Sequence, residues 1–152
     1  MERKILYRIK YRNEKWYYGF PISQIKDDSV GFTSDNTIKD NDYYDIFADA
    51  KTLCEYTNLT DSNNTPIFEN DILQLDDDKL NIHWTAIVEF GNPNCEYVWG
   101  WNLRPLTSNV EKYGYNTDIL CWVEMEDGGV TCKIIGNKFD NPELLKGENK
   151  DE

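Results

Sequence analysis

The sequence predicts a mainly β chain: one β-rich, barrel-like domain, antiparallel and partly open, with one or two short helices. Apolar and polar residues alternate with period 2 over several stretches, the longest running from Leu80 to Phe90. Aromatic residues make up 14% of the chain against a hydrophobic total of 39%, and five Trp, ten Tyr and six Phe favour the pleated, half-buried surface of strands. Clusters of Asn, Asp, Gly and Pro, which tight turns select by tolerance of positive φ, side-chain capping or a fixed φ, separate these stretches. A chain of 152 residues can bury one sizeable core. Residues 1–145 are expected to form that domain, with residues 1–20 as an N-terminal hairpin subdomain and 146–152 as a disordered tail.

The first strand is marked by Ile5, Tyr7, Ile9 and Tyr11, which alternate with Leu6, Arg8, Lys10 and Arg12 to give one largely basic face. Asn13-Glu14-Lys15 turns it into an aromatic second strand, Trp16 to Phe20, that Pro21 ends. From Ser23 to Asp42 the chain is polar, with one short strand at Val30 to Thr33. Asp42 is expected to cap a short helix through Tyr43, Tyr44, Ile46, Phe47 and Ala50, with Asp45 and Asp49 outward. Residues 56–73 read YTNLTDSNNTPIFENDIL and predict a rigid connector with several turns. Asp71 to Leu75 leads as a strand into Asp76-Asp77-Asp78-Lys79. That run starts like a calcium loop but has Asn81 where glycine is required and Ile87 where a carboxylate is, so a solvated hairpin loop is expected.

The strand from Leu80 to Phe90 is expected to pair with Tyr97, Trp99, Trp101 and Leu103 through Gly91-Asn92-Pro93-Asn94, in a sheet that curls. A loop follows Pro105 as far as Asp118. Ile119 to Glu124 and Val130 to Ile135 read as a last hairpin across Asp127-Gly128-Gly129. Asn141 as cap, Pro142 in the first turn and Glu143 at the positive end begin a short helix that turns Leu144 and Leu145 into the core.

Charge and motif content narrow the chemistry. The net charge is −12, which disfavours diffuse attraction to nucleic acid. Residues 1–15 nevertheless hold six basic and two acidic side chains, a net of +4 that leaves −16 on the rest. Arg3, Arg8, Lys10 and Arg12 are therefore candidate interface residues, with a solvated strand face as the alternative. Cys54, Cys95, Cys121 and Cys132 form no Cys-x-x-Cys pair and have only His83 for company, so free thiols are expected rather than zinc. MERKILYRIK is charged throughout and no apolar run has the length of a membrane span; a cytoplasmic protein that needs no cofactor is expected. His83 lies on a polar strand face without a nucleophile motif, so a solvent-facing side chain is expected rather than a catalytic base. Glu69 and Asp71 flank a turn, where they accept backbone amides. Trp84, Trp99 and Trp101 occupy alternate positions of two adjacent strands; packed, they form core, and exposed, they form an interface or a stacking platform.

Two stretches carry a family resemblance. Leu53 to Leu73 is similar to the pattern Tyr/Phe-Thr-Gly-Leu, Asp-x-Asn-Gly and Ile-Tyr/Phe-Glu-Gly-Asp-Ile, through Tyr56, Thr57, Asn58, Leu59, Asp61, Asn64, Asn70 and Asp71. Ile134 to Leu145 is similar to Ile-Gly-Asn-x-Tyr/Phe-x-Asn-Pro-Glu-Leu-Leu, through Gly136, Asn137, Asn141 and Pro142. In that order, and with Trp16-Tyr17-Tyr18-Gly19 ahead of them, these motifs resemble the YopX family of phage- and prophage-encoded proteins. Asn58, Asn64 and Asn70 stand where the pattern has glycine. Asparagine most readily replaces glycine at left-handed backbone positions, so all three are expected at positive φ.

The resemblance implies a β-rich, barrel-like fold and a viral accessory role, and it brings no catalytic residues. The expected function is thus a non-enzymatic module in a bacterial host that self-associates through its basic first hairpin or an edge strand. The alternatives are an acidic regulator of a host nucleic-acid-binding protein, which makes a host protein the partner, and a nucleic-acid-binding β-barrel, which the acid excess disfavours.

Overall fold

The computed structural model describes residues 2–23, 26–34, 45–91, 99–109, 117–123 and 129–146. The chain divides into two compact units, residues 1–58 and 59–152.

The first unit is an antiparallel sheet built from β1 (Tyr7–Tyr11), β2 (Lys15–Pro21), β3 (Ser29–Ser34) and β4 (Asp45–Asp49), with β5 (Cys54–Thr60) beside β1. The spatial order is β4-β3-β2-β1-β5. β1 and β2 form the expected hairpin, with Tyr11 opposite Lys15. Arg12 and Asn13 turn the chain at φ 53° and 56°, and Glu14 N donates to Tyr11 O at 3.1 Å. Two consecutive positive φ values match the right-handed twist of the flanking strands. Ile9, Val30, Phe32 and Ala48 are the buried core of this unit, with Tyr7, Tyr11, Tyr17 and Ile46 packed against it.

The helix expected from Asp42 to Ala50 is a strand instead: β4 pairs antiparallel with β3, Val30 opposite Ala48 and Phe32 opposite Ile46. Residues 42–44 lie outside the described residues. Ile46 and Ala48 face the core while Phe47 and Asp49 face out, a period of 2 that the short run conceals. Only a 3-10 turn, Ala50–Thr52, follows, and its cap is Asp49, whose carboxylate accepts from Lys51 N at 2.9 Å.

β5 runs across the boundary and has β6 (Pro66–Phe68) as its neighbour. The second unit holds a sheet of β7 (Asp71–Asp77), β8 (Ile82–Gly91), β9 (Gly100–Ser108) and β10 (Val130–Asn137), in the order β10-β7-β8-β9. Leu73, Leu75, Trp84, Ala86, Val88 and Leu103 line its inner face. Full burial of each large aliphatic side chain contributes about 1.5–3 kcal/mol. The fold is therefore mainly β and antiparallel, as expected, but it is made of open sheets and no closed barrel.

Three local readings change in this unit. Ile119–Val123 is a short helix, α1, and not a strand: Ile119 and Trp122 are buried three positions apart, and Asp118 Oδ1 caps Leu120 N at 3.0 Å. β10 pairs with β7 rather than with residues 119–124. β9 continues through Pro105 to Ser108, where a loop was expected. It ends the sheet order, so the missing proline N–H costs no ladder bond, and a register shift between Thr85 and Ala86 absorbs Leu106. The C-terminal helix is a 3-10 turn, Pro142–Lys146, in which Leu144 and Leu145 are half-buried rather than core. The tail residues 147–152 lie outside the described residues, and Lys146 belongs to that turn.

Candidate functional site

The residues of the two sequence motifs form backbone architecture. Asn58, Asn64 and Asn70 have φ of 64°, 62° and 69°, the left-handed values expected of them. Asp61 is buried and serves three amides: Oδ1 accepts from Asn63 N and Thr65 N, each at 2.9 Å, and Oδ2 accepts from Ile134 N at 3.1 Å. Ser62 N donates to Cys132 O, and Cys132 N to Ser62 Oγ. The turn after β5 thereby covers one edge of β10. Asp71 Oδ2 accepts from Phe68 N at 2.8 Å, so this carboxylate caps a turn, as its position suggested.

The C-terminal motif meets the first one directly. Asn137 pairs with Asp71, and Lys138 N donates to Asn70 O at 3.0 Å. Asn137 Oδ1 accepts from Phe139 N and Asp140 N, while Asn141 Oδ1 accepts from Asn137 N at 3.2 Å. The Asn141 carboxamide occupies the space that a Cβ at Gly136 would fill, which is why glycine stands there. Pro142 opens the 3-10 turn. On β5, Thr57 is buried, Leu59 packs against the core of the second unit, and burial raises the Tyr56 hydroxyl pKa above its ordinary value.

The four candidate interface cations are not brought together as one exposed patch. Arg8 and Lys10 are 6% and 7% exposed, their charged ends 4.5 Å and 5.9 Å from the Trp16 ring centroid. Both lie over Trp16 and are buried, on the face of β1 opposite Ile9. Arg3 is exposed and pairs with Glu55 at 3.3 Å. Arg12 sits at the hairpin tip, 5.0 Å from the Tyr11 ring centroid. The three tryptophans separate as well: Trp84 is 1% exposed and stacks edge-on with Trp122, Trp101 is half-buried, and Trp99 is 77% exposed. Gly91 and Gly100, at positive φ, bracket the connection, so Trp99 falls outside the strand alternation that would have turned it inward.

A surface that sequence reasoning missed lies on the first unit. Phe47, in the edge strand β4, is 76% exposed. It stands opposite Gly31, and Ile22, 57% exposed, reaches within 3.4 Å of where a Gly31 Cβ would be. Shallow depressions of about 510 and 490 Å³ flank the Phe47 ring. Arg12, Lys26 and Lys51 border them together with Asp27, Asp28 and Asp49, three positive and three negative groups. The signal available in the sequence was the alternation Ile46, Phe47, Ala48, Asp49, which places a large apolar residue on the same face as an aspartate.

A groove of about 600 Å³ lies on the outer face of the second sheet, beside the 3-10 turn Pro142–Lys146. His83 lines it, with Nδ1 2.8 Å from Asp76 Oδ1 and Nε2 3.2 Å from Asn81 Oδ1. His83 is thus half-buried and paired rather than free in solvent. Both ring nitrogens face oxygens of these neighbours and neither holds a hydroxyl nucleophile, so this pair orients an imidazole without activating a serine or threonine. Thr85 and Thr107 hydrogen-bond to each other across the strands at 2.7 Å.

Cys132 is equally unsuited to nucleophilic work: burial, then the neighbouring Asp61 charge, pushes its thiol pKa up to about 12. Cys54 is also buried, and Cys95 lies outside the described residues. Among the described residues no three His, Cys, Asp or Glu side chains gather as metal ligands, and no helix is long and apolar enough to cross a membrane.

A protein-family model described as YopX protein matches residues 6–146. No curated protein and no solved structure matches the chain.

Proposed function

Because the chain belongs to the YopX family, we propose that it is a phage- or prophage-encoded accessory protein acting in the host cytoplasm as a self-associating, non-enzymatic interaction module. The observation that supports this reading is the surface around Phe47. Two copies that each carry −12 repel one another over most of their surfaces. Among the described residues, the rim of Arg12, Lys26, Lys51, Asp27, Asp28 and Asp49 has no net charge, so two copies meet there with less of that penalty.

The same surface offers what an isologous contact needs. A protruding ring stands beside depressions able to receive its counterpart. Acidic groups of one copy then face basic groups of the other. The basic first hairpin is the weaker route, since Arg8 and Lys10 are turned onto Trp16.

Sedimentation at about 0.02 M and about 0.5 M NaCl tests this, because the Debye length shrinks several-fold between them. The expected result is association that strengthens with salt, as screening removes the general repulsion, and a monomeric Phe47→Asp variant with an unchanged circular dichroism spectrum. A monomer under both conditions, or a variant that associates like the original, would overturn the proposal.

A further inference from the structure

We propose that the groove on the outer face of the second sheet binds an aliphatic cation, an alkyl chain that ends in an ammonium or guanidinium group. Its volume, about 600 Å³, falls in the range of small-ligand sites. One part of the lining is apolar: Ile72 from β7, Ile135 at the bulge of β10, and Leu144 from the 3-10 turn. The rest is polar, and its one charged carboxylate among the described residues is Glu143.

Several donors in the groove are engaged. Gln74 Nε2 donates to Asp76 Oδ1 at 3.0 Å and to Trp84 O at 3.2 Å, which uses both its hydrogens. Asn109 Nδ2 donates to Asn81 O at 2.8 Å, and His83 Nδ1 is held by Asp76. Acceptors remain: Gln74 Oε1 and both oxygens of the Glu143 carboxylate have no bond among the described residues. No lysine or arginine among the described residues lines the groove, and Lys133, opposite Gln74 on β10, is exposed and not part of the lining. An anion would meet the Glu143 carboxylate and no lysine or arginine among the described lining residues. A cation with an apolar stem finds charge-assisted acceptors and an aliphatic wall.

A free diamine and a lysine or arginine side chain share this chemistry. His83 is the single histidine, so its imidazole proton signals report on the groove without ambiguity. The full chain is titrated with cadaverine, with N-acetyl-lysine methylamide and, as anionic control, with glutarate. Saturable movement of the His83 signals by a cation at around millimolar concentration is expected, weakened about tenfold by Glu143→Gln, with no response to glutarate. Tighter binding of cadaverine marks a free amine as the ligand and the reverse order marks a peptide side chain. A silent His83 up to ~20 mM of either cation, an equal response to glutarate, or an unchanged affinity in Glu143→Gln would overturn the assignment. The test is independent of self-association, since Phe47→Asp is expected to bind cadaverine as the original chain does.

Discussion

Asparagine at a left-handed position keeps a side chain that glycine lacks, and the asparagines of residues 56–73 use it differently. Asn58 Oδ1 accepts from Lys4 N at 2.7 Å, so its side chain ties the N-terminal segment to β5. Asn64 has only its backbone amide in the turn, donating to Asp61 O at 3.0 Å, and its side chain is exposed. Urea unfolding is therefore expected to separate two changes at this residue. Asn64→Gly should stay within about 0.5 kcal/mol of the original, while Asn64→Ala should lose about 1 kcal/mol, because alanine keeps the Cβ that crowds the following carbonyl at φ near 62° and lacks the short polar side chain that lets asparagine tolerate it. Equal stabilities would remove the conformational explanation. These positions were legible from residue type alone, because the turn chemistry of asparagine is local. The burial of Arg8 and Lys10 was not, since it depends on Trp16, a cross-strand neighbour that only the hairpin register brings opposite Lys10.

At the scale of elements, β10 combines a bulge, a glycine and a cap in four residues. Its register against β7 shifts between Ile134 and Gly136, and Ile135 is left 41% exposed. The Asn141 carboxamide then lies over Gly136. Gly136→Ala is expected to cost about 1–3 kcal/mol by overpacking, and Asn141→Gly in the same chain should recover part of that loss. Strict additivity in the double-mutant cycle would show that the carboxamide is not the obstacle. β1, whose alternation extends over residues 5–12, and the longer strands β7 and β8 were readable in advance. β4 and α1 were not, because five residues each are too few to tell a period of 2 from one of 3.6. Pro105 misled for a different reason. Proline breaks interior strands, and only the sheet order reveals that β9 is an edge.

At the scale of the molecule, an excess of twelve negative charges opposes compaction. Thermal unfolding is expected to move to higher temperature, by roughly a few degrees, between about 0.02 M and about 0.3 M NaCl as the repulsion is screened. A fall over that range would show that attractive ion pairs outweigh the net charge. The division into two compact units left no mark in composition: it falls inside β5, between Asn58 and Leu59, with no linker of glycine, proline or serine. Each unit has its own buried cluster, and the candidate surfaces divide between them, Phe47 on the first and the His83 groove on the second. Neither surface was legible as a site, because each is assembled from side chains distant in sequence.

The bond between Ile134 N and Asp61 Oδ2 spans 73 positions. During synthesis, β7 and the turn after β5 emerge well before their partner. At about 5–20 residues per second, several seconds pass in which Asp61 Oδ2 lacks its Ile134 donor and one edge of β7 has no neighbour. Parallel copies on neighbouring ribosomes would each display that edge at the same moment. The second sheet thus closes late and non-locally, a topology that folds slowly, and the interval before β10 arrives is when this chain is most exposed to mispairing with another.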